Sequence, residues 1–116
     1  METILSEKLH TIFFRKTLNS RSKDFYDVYI LWALKKEAID WKAARLALDT
    51  TFKYRKTPLS LQEIEETLLS LKQSQEMRLR WEAYSRKHSF AATVSWDSAL
   101  DSVNQVIHIL FKEKTA

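Results

Sequence analysis

Arg21-Ser22-Lys23-Asp24-Phe25-Tyr26-Asp27 sets two cations and two carboxylates within seven residues, and it opens the most hydrophobic helix-forming stretch of the chain, Phe25 to Ala33. At about 100° per residue, Val28, Trp32, Phe25 and Tyr29 spread over one side of that helix, and Tyr26, Ile30, Leu34 and Leu31 over the other. Apolar side chains thus cover nearly the whole circumference, which predicts a helix buried on most sides. Its charges gather in the first turn and, as Lys35 and Lys36, at the far end. Helix chemistry alone accounts for much of this. Carboxylates suit the positive end of the macrodipole, Ser22 is placed to cap free amides, and Lys23 with Asp27 is a favourable i,i+4 pair.

Lys8 points to something more. The preceding segment, Thr3 to Arg15, has an apolar arc of Ile4, Ile12, Leu5, Leu9 and Phe13, and Lys8 falls inside it, about 40° from Ile4 and from Ile12. A lysine on a buried stripe snorkels out or finds an anionic partner, because an unpaired buried charge costs several kcal/mol. Asp24 and Asp27 stand at the mouth of the next helix, across the polar loop Lys16 to Arg21. Helices joined this way are antiparallel neighbours. A Lys–Asp cluster between them is the expectation, whether structural or catalytic.

Glu2-Thr3-Ile4-Leu5-Ser6-Glu7-Lys8-Leu9 followed by Arg21-Ser22-Lys23-Asp24-Phe25-Tyr26-Asp27 resembles the downstream motifs of AbiEii/AbiGii-type nucleotidyltransferase toxins. Thr51-Phe52 with Arg55 and Thr57 is similar to that family's pattern further on, so the resemblance covers residues 1–57. It implies an enzyme of a toxin–antitoxin or abortive-infection system that binds a nucleoside triphosphate with Mg and transfers nucleotide to an acceptor. By position, the resemblance assigns Lys8 to the triphosphate and makes Asp24 a base or polar organiser. Glu7, Arg21, Lys23 and Asp27 would support this catalytic pair. The family's metal site depends on an upstream Gly-Ser turn and an Asp-x-Asp pair on a strand, and neither a glycine nor an Asp-x-Asp occurs here. The resemblance therefore implies the C-terminal helical half of such an enzyme. That half is expected to hold no cofactor and to be inactive alone. Its expected partners are a missing nucleotidyltransferase half, an antitoxin, a second copy of itself and an RNA acceptor.

Two other readings compete. One is a non-enzymatic helical interaction module whose Lys–Asp cluster is structural. The other is an RNA-binding helical domain using Arg55, Arg78, Arg80 and Arg86.

Composition sets the fold class. The 116 residues, 45% of them hydrophobic, with four Trp, six Phe and four Tyr, support one packed domain. No glycine and one proline leave little material for tight β-turns, so the chain reads as all-α. No cysteine means no disulfide and no thiolate metal site, in keeping with a reducing cytoplasm. No apolar run is long enough to span a membrane, so a soluble cytoplasmic protein without membrane contact is expected. The net charge of +4 permits nucleic-acid contact without requiring it. His10, His88 and His108 share no ligand spacing, and no metal site is assigned to them.

Along the chain, Asp40 is placed to cap a helix from Trp41 to about Tyr54, with Trp41, Ala44, Leu48 and Phe52 on one face. Ser60-Leu61-Gln62-Glu63 is a capping box, and Leu61, Ile64, Leu68 and Leu71 continue as a stripe to about Lys72. A break at Gln73-Ser74 precedes a helix from about Gln75 to Lys87 carrying Met77, Trp81 and Tyr84. After the loop Ser89 to Val94, the last helix presents Trp96, Ala99, Leu100, Val103, Ile107, Leu110 and Phe111 on one side. The expected architecture is a single all-α domain, 1–116, of five to six helices around a central hydrophobic helix at about residues 23–36. The family-like motifs occupy 1–57, and 58–116 extends the bundle.

Overall fold

Side-chain oxygens start four of the six helices of this computed structural model, which describes residues 1–18 and 21–112. Asp40 accepts from the Ala43 amide to open α3 (Trp41–Tyr54), and Ser60 accepts from Glu63 to open α4 (Leu61–Gln73). Ser74 accepts from Met77 at the head of α5 (Gln75–Lys87), and Ser95 from Ser98 at the head of α6 (Trp96–Leu110). Each cap satisfies an amide that the first turn leaves without a partner. The first two helices, α1 (Glu2–Arg15) and α2 (Ser22–Lys35), begin without a side-chain cap. Ser22, expected to cap α2, is instead its first helical residue, and Arg21 holds the capping position. Short 3-10 turns, Lys16–Leu18 and Ser89–Ala91, join α1 to the loop before α2 and α5 to the loop before α6. Among the described residues there is no strand.

Helix α3 ends without glycine. Lys56 takes a left-handed φ of 55°, its amide bonds to the Lys53 carbonyl, and the Thr57 amide reaches back to Phe52 at 2.9 Å. This is the Schellman arrangement, in which glycine usually occupies the left-handed position.

The helices bury their stripes in one core. α1 packs on α3 and on α2, while α6 packs on α2, α3, α4 and α5. Leu5, Leu9 and Ile12 of α1 meet Leu48 and Phe52 of α3, and Val103, Val106 and Leu110 carry α6 into the same cluster. Buried indoles need a partner for N–H, and they find backbone carbonyls. Trp81 donates to Val94 at 2.8 Å and Trp96 to Leu71 at 3.3 Å. No helix among the described residues is long and apolar enough to cross a membrane.

Helix α2 lies between α1, α5 and α6, in the central place expected of it. Its burial is narrower than its composition predicts. Ser22, Asp24, Phe25 and Val28 are buried, Tyr26, Tyr29, Ile30, Leu31 and Trp32 are half-buried, and Leu34 is 70% exposed. A domain of this size has too few neighbouring helices to cover one helix on every side.

The fold is held chiefly by apolar burial at the α1–α3 and α2–α6 contacts. Leu48→Ala, at a fully buried position, should cost about 2–5 kcal/mol in urea unfolding followed by circular dichroism. Leu46→Ala, on the exposed side of the same helix, should stay within about 0.5 kcal/mol.

Candidate functional site

The packing of α1 on α2 brings Lys8 opposite the first two turns of α2. Its ammonium lies 3.3 Å from Asp24 Oδ1 and 2.9 Å from Asp27 Oδ2, bridging the two carboxylates. Lys23 donates to the same Asp27 oxygen at 2.9 Å, and Arg21 Nε stands 3.5 Å from Asp24 Oδ2. Asp24 is 1% exposed and Lys8 21%. Asp24 Oδ2 keeps its ion-pair distance to Arg21 but has no hydrogen-bond partner among the described residues. Three cations thus meet two carboxylates, one of them sealed from water.

The charges stabilise one another. The hydrogen bond to Asp27 does most to raise the Lys8 ammonium above its ordinary 10.5, outweighing burial, and Asp24 adds to it. Burial alone would raise Asp27, yet the bonds from Lys23 and Lys8 bring its carboxyl below the ordinary 3.8.

Glu7 belongs to a different face. Its carboxylate takes Arg55 Nη2 at 3.0 Å, the outer member of three polar contacts between α1 and the end of α3. Ser6 donates to the Thr3 carbonyl, so the Thr51 hydroxyl, 3.0 Å away, donates to Ser6. Thr57 gives its proton to the Arg55 carbonyl, which makes His10 Nε2 the donor in the 3.0 Å contact between them. His10 also lies face-on to Phe14 and edge-on to Phe52. Burial first, and then the Arg55 charge, lower the His10 imidazole below 6.5 against the opposing pull of Glu7.

These contacts turn α1 away from the expected orientation. Its buried side is Leu5, Ser6, Leu9, His10, Ile12 and Phe13, while Ile4 is 57% exposed. Lys8 therefore stands at the margin of the buried arc, with its head at the edge of solvent. Ser6 and His10, an i,i+4 pair interrupting an apolar pattern, were the available signal for a polar seam.

Of the site residues expected from sequence, Lys8, Arg21, Lys23, Asp24 and Asp27 come together, and Glu7 stands apart with Arg55. The arginines expected to contact RNA are largely engaged elsewhere. Arg55 pairs with Glu7, Arg78 with Asp97 at 3.0 Å, and Arg80 with Glu76.

This Lys–Asp pairing is where comparison with known proteins bears. The model of one protein family, the nucleotidyl transferase AbiEii toxin of type IV toxin–antitoxin systems, matches residues 1–102. The chain belongs to the AbiEii family. Searches of curated proteins and of solved structures each gave no match. The AbiEii match runs well past residue 57, through α4 and α5 and into α6. Membership places the chain among nucleotidyltransferase toxins of toxin–antitoxin systems and implies an antitoxin partner.

Lys8→Met leaves Asp24 buried with weakened compensation and should cost about 1–3 kcal/mol, below the full penalty for a sealed pair because Lys8 is partly wet. Lys42→Met, at an exposed position, should change the same urea midpoint little. The pH profile follows from the signs. His10 is depressed, so its contribution is complete above about pH 6.5 and is lost as pH falls toward its lowered value. Asp27 is depressed below 3.8, so its contribution is lost only in stronger acid. Lys8 is raised, so its contribution persists until pH rises through its elevated value above 10.5. Urea midpoints should fall in two stages on acidification, and His10→Gln should remove the first.

Proposed function

We propose that this chain is the helical portion of an AbiEii-type nucleotidyltransferase toxin, supplying Lys8 and Asp24 to a nucleotide site completed by an N-terminal half. The reading is carried by the Lys8 ammonium, bridged between Asp24 and Asp27 at the solvent edge of α1 and α2. Lys8, Arg21 and Lys23 outnumber the two carboxylates, and the surplus positive charge favours a phosphate. Lys8 is the member of the pair with solvent access and would contact the phosphate. Asp24, sealed beneath it, would hold Lys8 and Arg21 in position.

The residues present do not fit a divalent metal. Asp24 and Asp27 already face cations, and the described residues contain no group of three or more His, Asp or Glu able to hold an ion. A hard cation needs several oxygens with free lone pairs. Mg-bound triphosphate would therefore depend on carboxylates of the completing half, and the 116-residue chain alone transfers no nucleotide. Ile4, Phe14, Leu18 and Leu34 stand exposed on or beside α1 and α2. Apolar side chains left open on these elements support docking of that half, or of a second copy.

The burial of Asp24 also supports a second reading, a helical interaction module in which the cluster is structural. Reconstitution separates the two. Adding an upstream half that carries a Gly-Ser turn and an Asp-x-Asp pair should restore transfer of labelled nucleotide. Lys8→Ala and Asp24→Ala should then abolish that transfer while circular dichroism still reports a helical fold. Full activity of both variants would make the cluster structural, and transfer by the unsupplemented chain would place the metal ligands within it.

A further inference from the structure

The charged cluster continues into a group of rings. Tyr26 precedes Asp27 on α2, and its ring centroid lies 4.9 Å from that of Phe90. Its hydroxyl donates to the Phe90 carbonyl at 3.4 Å. Tyr84 of α5 stands 6.5 Å from Tyr26 and 6.3 Å from Phe90. His88 lies 4.6 Å from Tyr84 and 5.1 Å from Phe90. On the inner side Tyr84 rests against the buried Trp81, at 5.5 Å, so the group is anchored in the core. On the outer side it is open: Phe90 is 54% exposed, and Tyr26, Tyr84 and His88 are half-buried. Tyr26 and Asp27 are consecutive on α2, which sets the rings beside the Lys8–Asp27–Lys23 cluster. Burial first, and then the Asp27 charge, raise the Tyr84 phenol above 10.0.

A single exposed aromatic side chain calls for no explanation. Four rings held against one another at the surface do. Arg86 and Lys87 directly precede His88, are exposed, and have no ion pair among the described residues, unlike Arg55 and Arg78. Lys23 pairs with Asp27, the residue that follows Tyr26 on α2. Exposed rings in a chain segment that also carries Arg86 and Lys87, and next to the Asp27 cluster, complement a ligand that is itself flat, aromatic and anionic.

We propose that Tyr26, Tyr84, His88 and Phe90 form a stacking platform for the base of a nucleotide, whose phosphates extend toward Lys23 and Lys8. The proposal deepens the reading of the Lys8 cluster as a phosphate site and rests on it only for the direction of the phosphates. Stacking needs no sequence-specific hydrogen bonds and tolerates any base. The nucleotide is either free or one unit of a single strand, since both present the same base and phosphate.

Side-chain NMR of the whole chain, titrated with adenosine, AMP, tripolyphosphate and a short oligoadenylate, tests this. Adenosine and AMP should shift the His88 and Phe90 resonances, and tripolyphosphate should shift Lys8 and Lys23 while leaving Phe90 unmoved. Phe90→Ala, at an exposed position, should weaken AMP binding about fivefold or more and leave tripolyphosphate binding unchanged, and Phe90→Trp should restore it. An oligoadenylate that binds much more tightly than AMP through the same resonances makes the ligand a strand; equal affinity makes it a free nucleotide. Base-induced shifts without any response to tripolyphosphate would support the platform and remove the phosphate reading of Lys8. No shift at His88 and Phe90 with any adenine ligand, or unchanged AMP affinity in Phe90→Ala, would overturn the platform.

Discussion

One ammonium group shared between two carboxylates fixes how α1 lies on α2. Desolvating such charges costs nearly as much as their attraction returns, so the cluster contributes orientation more than net stability. The stability comes from the apolar contacts of α1 with α3 and of α2 with α6. α1 is therefore gripped on two sides by different physics: ion pairs toward α2, and a hydroxyl–imidazole seam over a hydrophobic contact toward α3. Rotation of α1 about its axis would break both at once. That double grip gives Lys8 a fixed position although it stands at the edge of solvent.

In the AbiEii family setting, the division of labour within the cluster follows from burial. Asp24 is too enclosed to meet a ligand, while Lys8 and Lys23 keep access. The bond to Asp27 first, and then the buried Asp24, raise the Lys8 ammonium above its ordinary 10.5 and so hold it protonated and directed. The engagement of its carboxylates by Lys8, Lys23 and Arg21 makes the cluster a poor metal ligand, because those oxygens are already answered.

Much of this was legible in the sequence, for identifiable reasons. The bounds of α3 and α5 follow from Asp40 and Ser74, side chains that satisfy first-turn amides and so mark where a helix starts. The Lys8 pairing followed from a charge on an apolar stripe, which demands a partner. Periodicity tells which residues share a face but not which face a neighbour covers. For that reason Ile4 emerged exposed, Ser6 and His10 buried, and α2 open along its far half. The pairing of Glu7 with Arg55 was hidden because 48 residues separate them and only tertiary packing brings them together.

The left-handed lysine at the end of α3 leaves the protein with room for evolutionary improvement. A side chain at Lys56 pays a steric penalty of roughly 1–2 kcal/mol that glycine would avoid. Thr57, the next residue, must nevertheless arrive beneath His10, so the turn is retained despite its penalty. A lineage needing to absorb a destabilising change elsewhere has a one-residue remedy available at this helix end, one that touches neither the core nor the charged cluster.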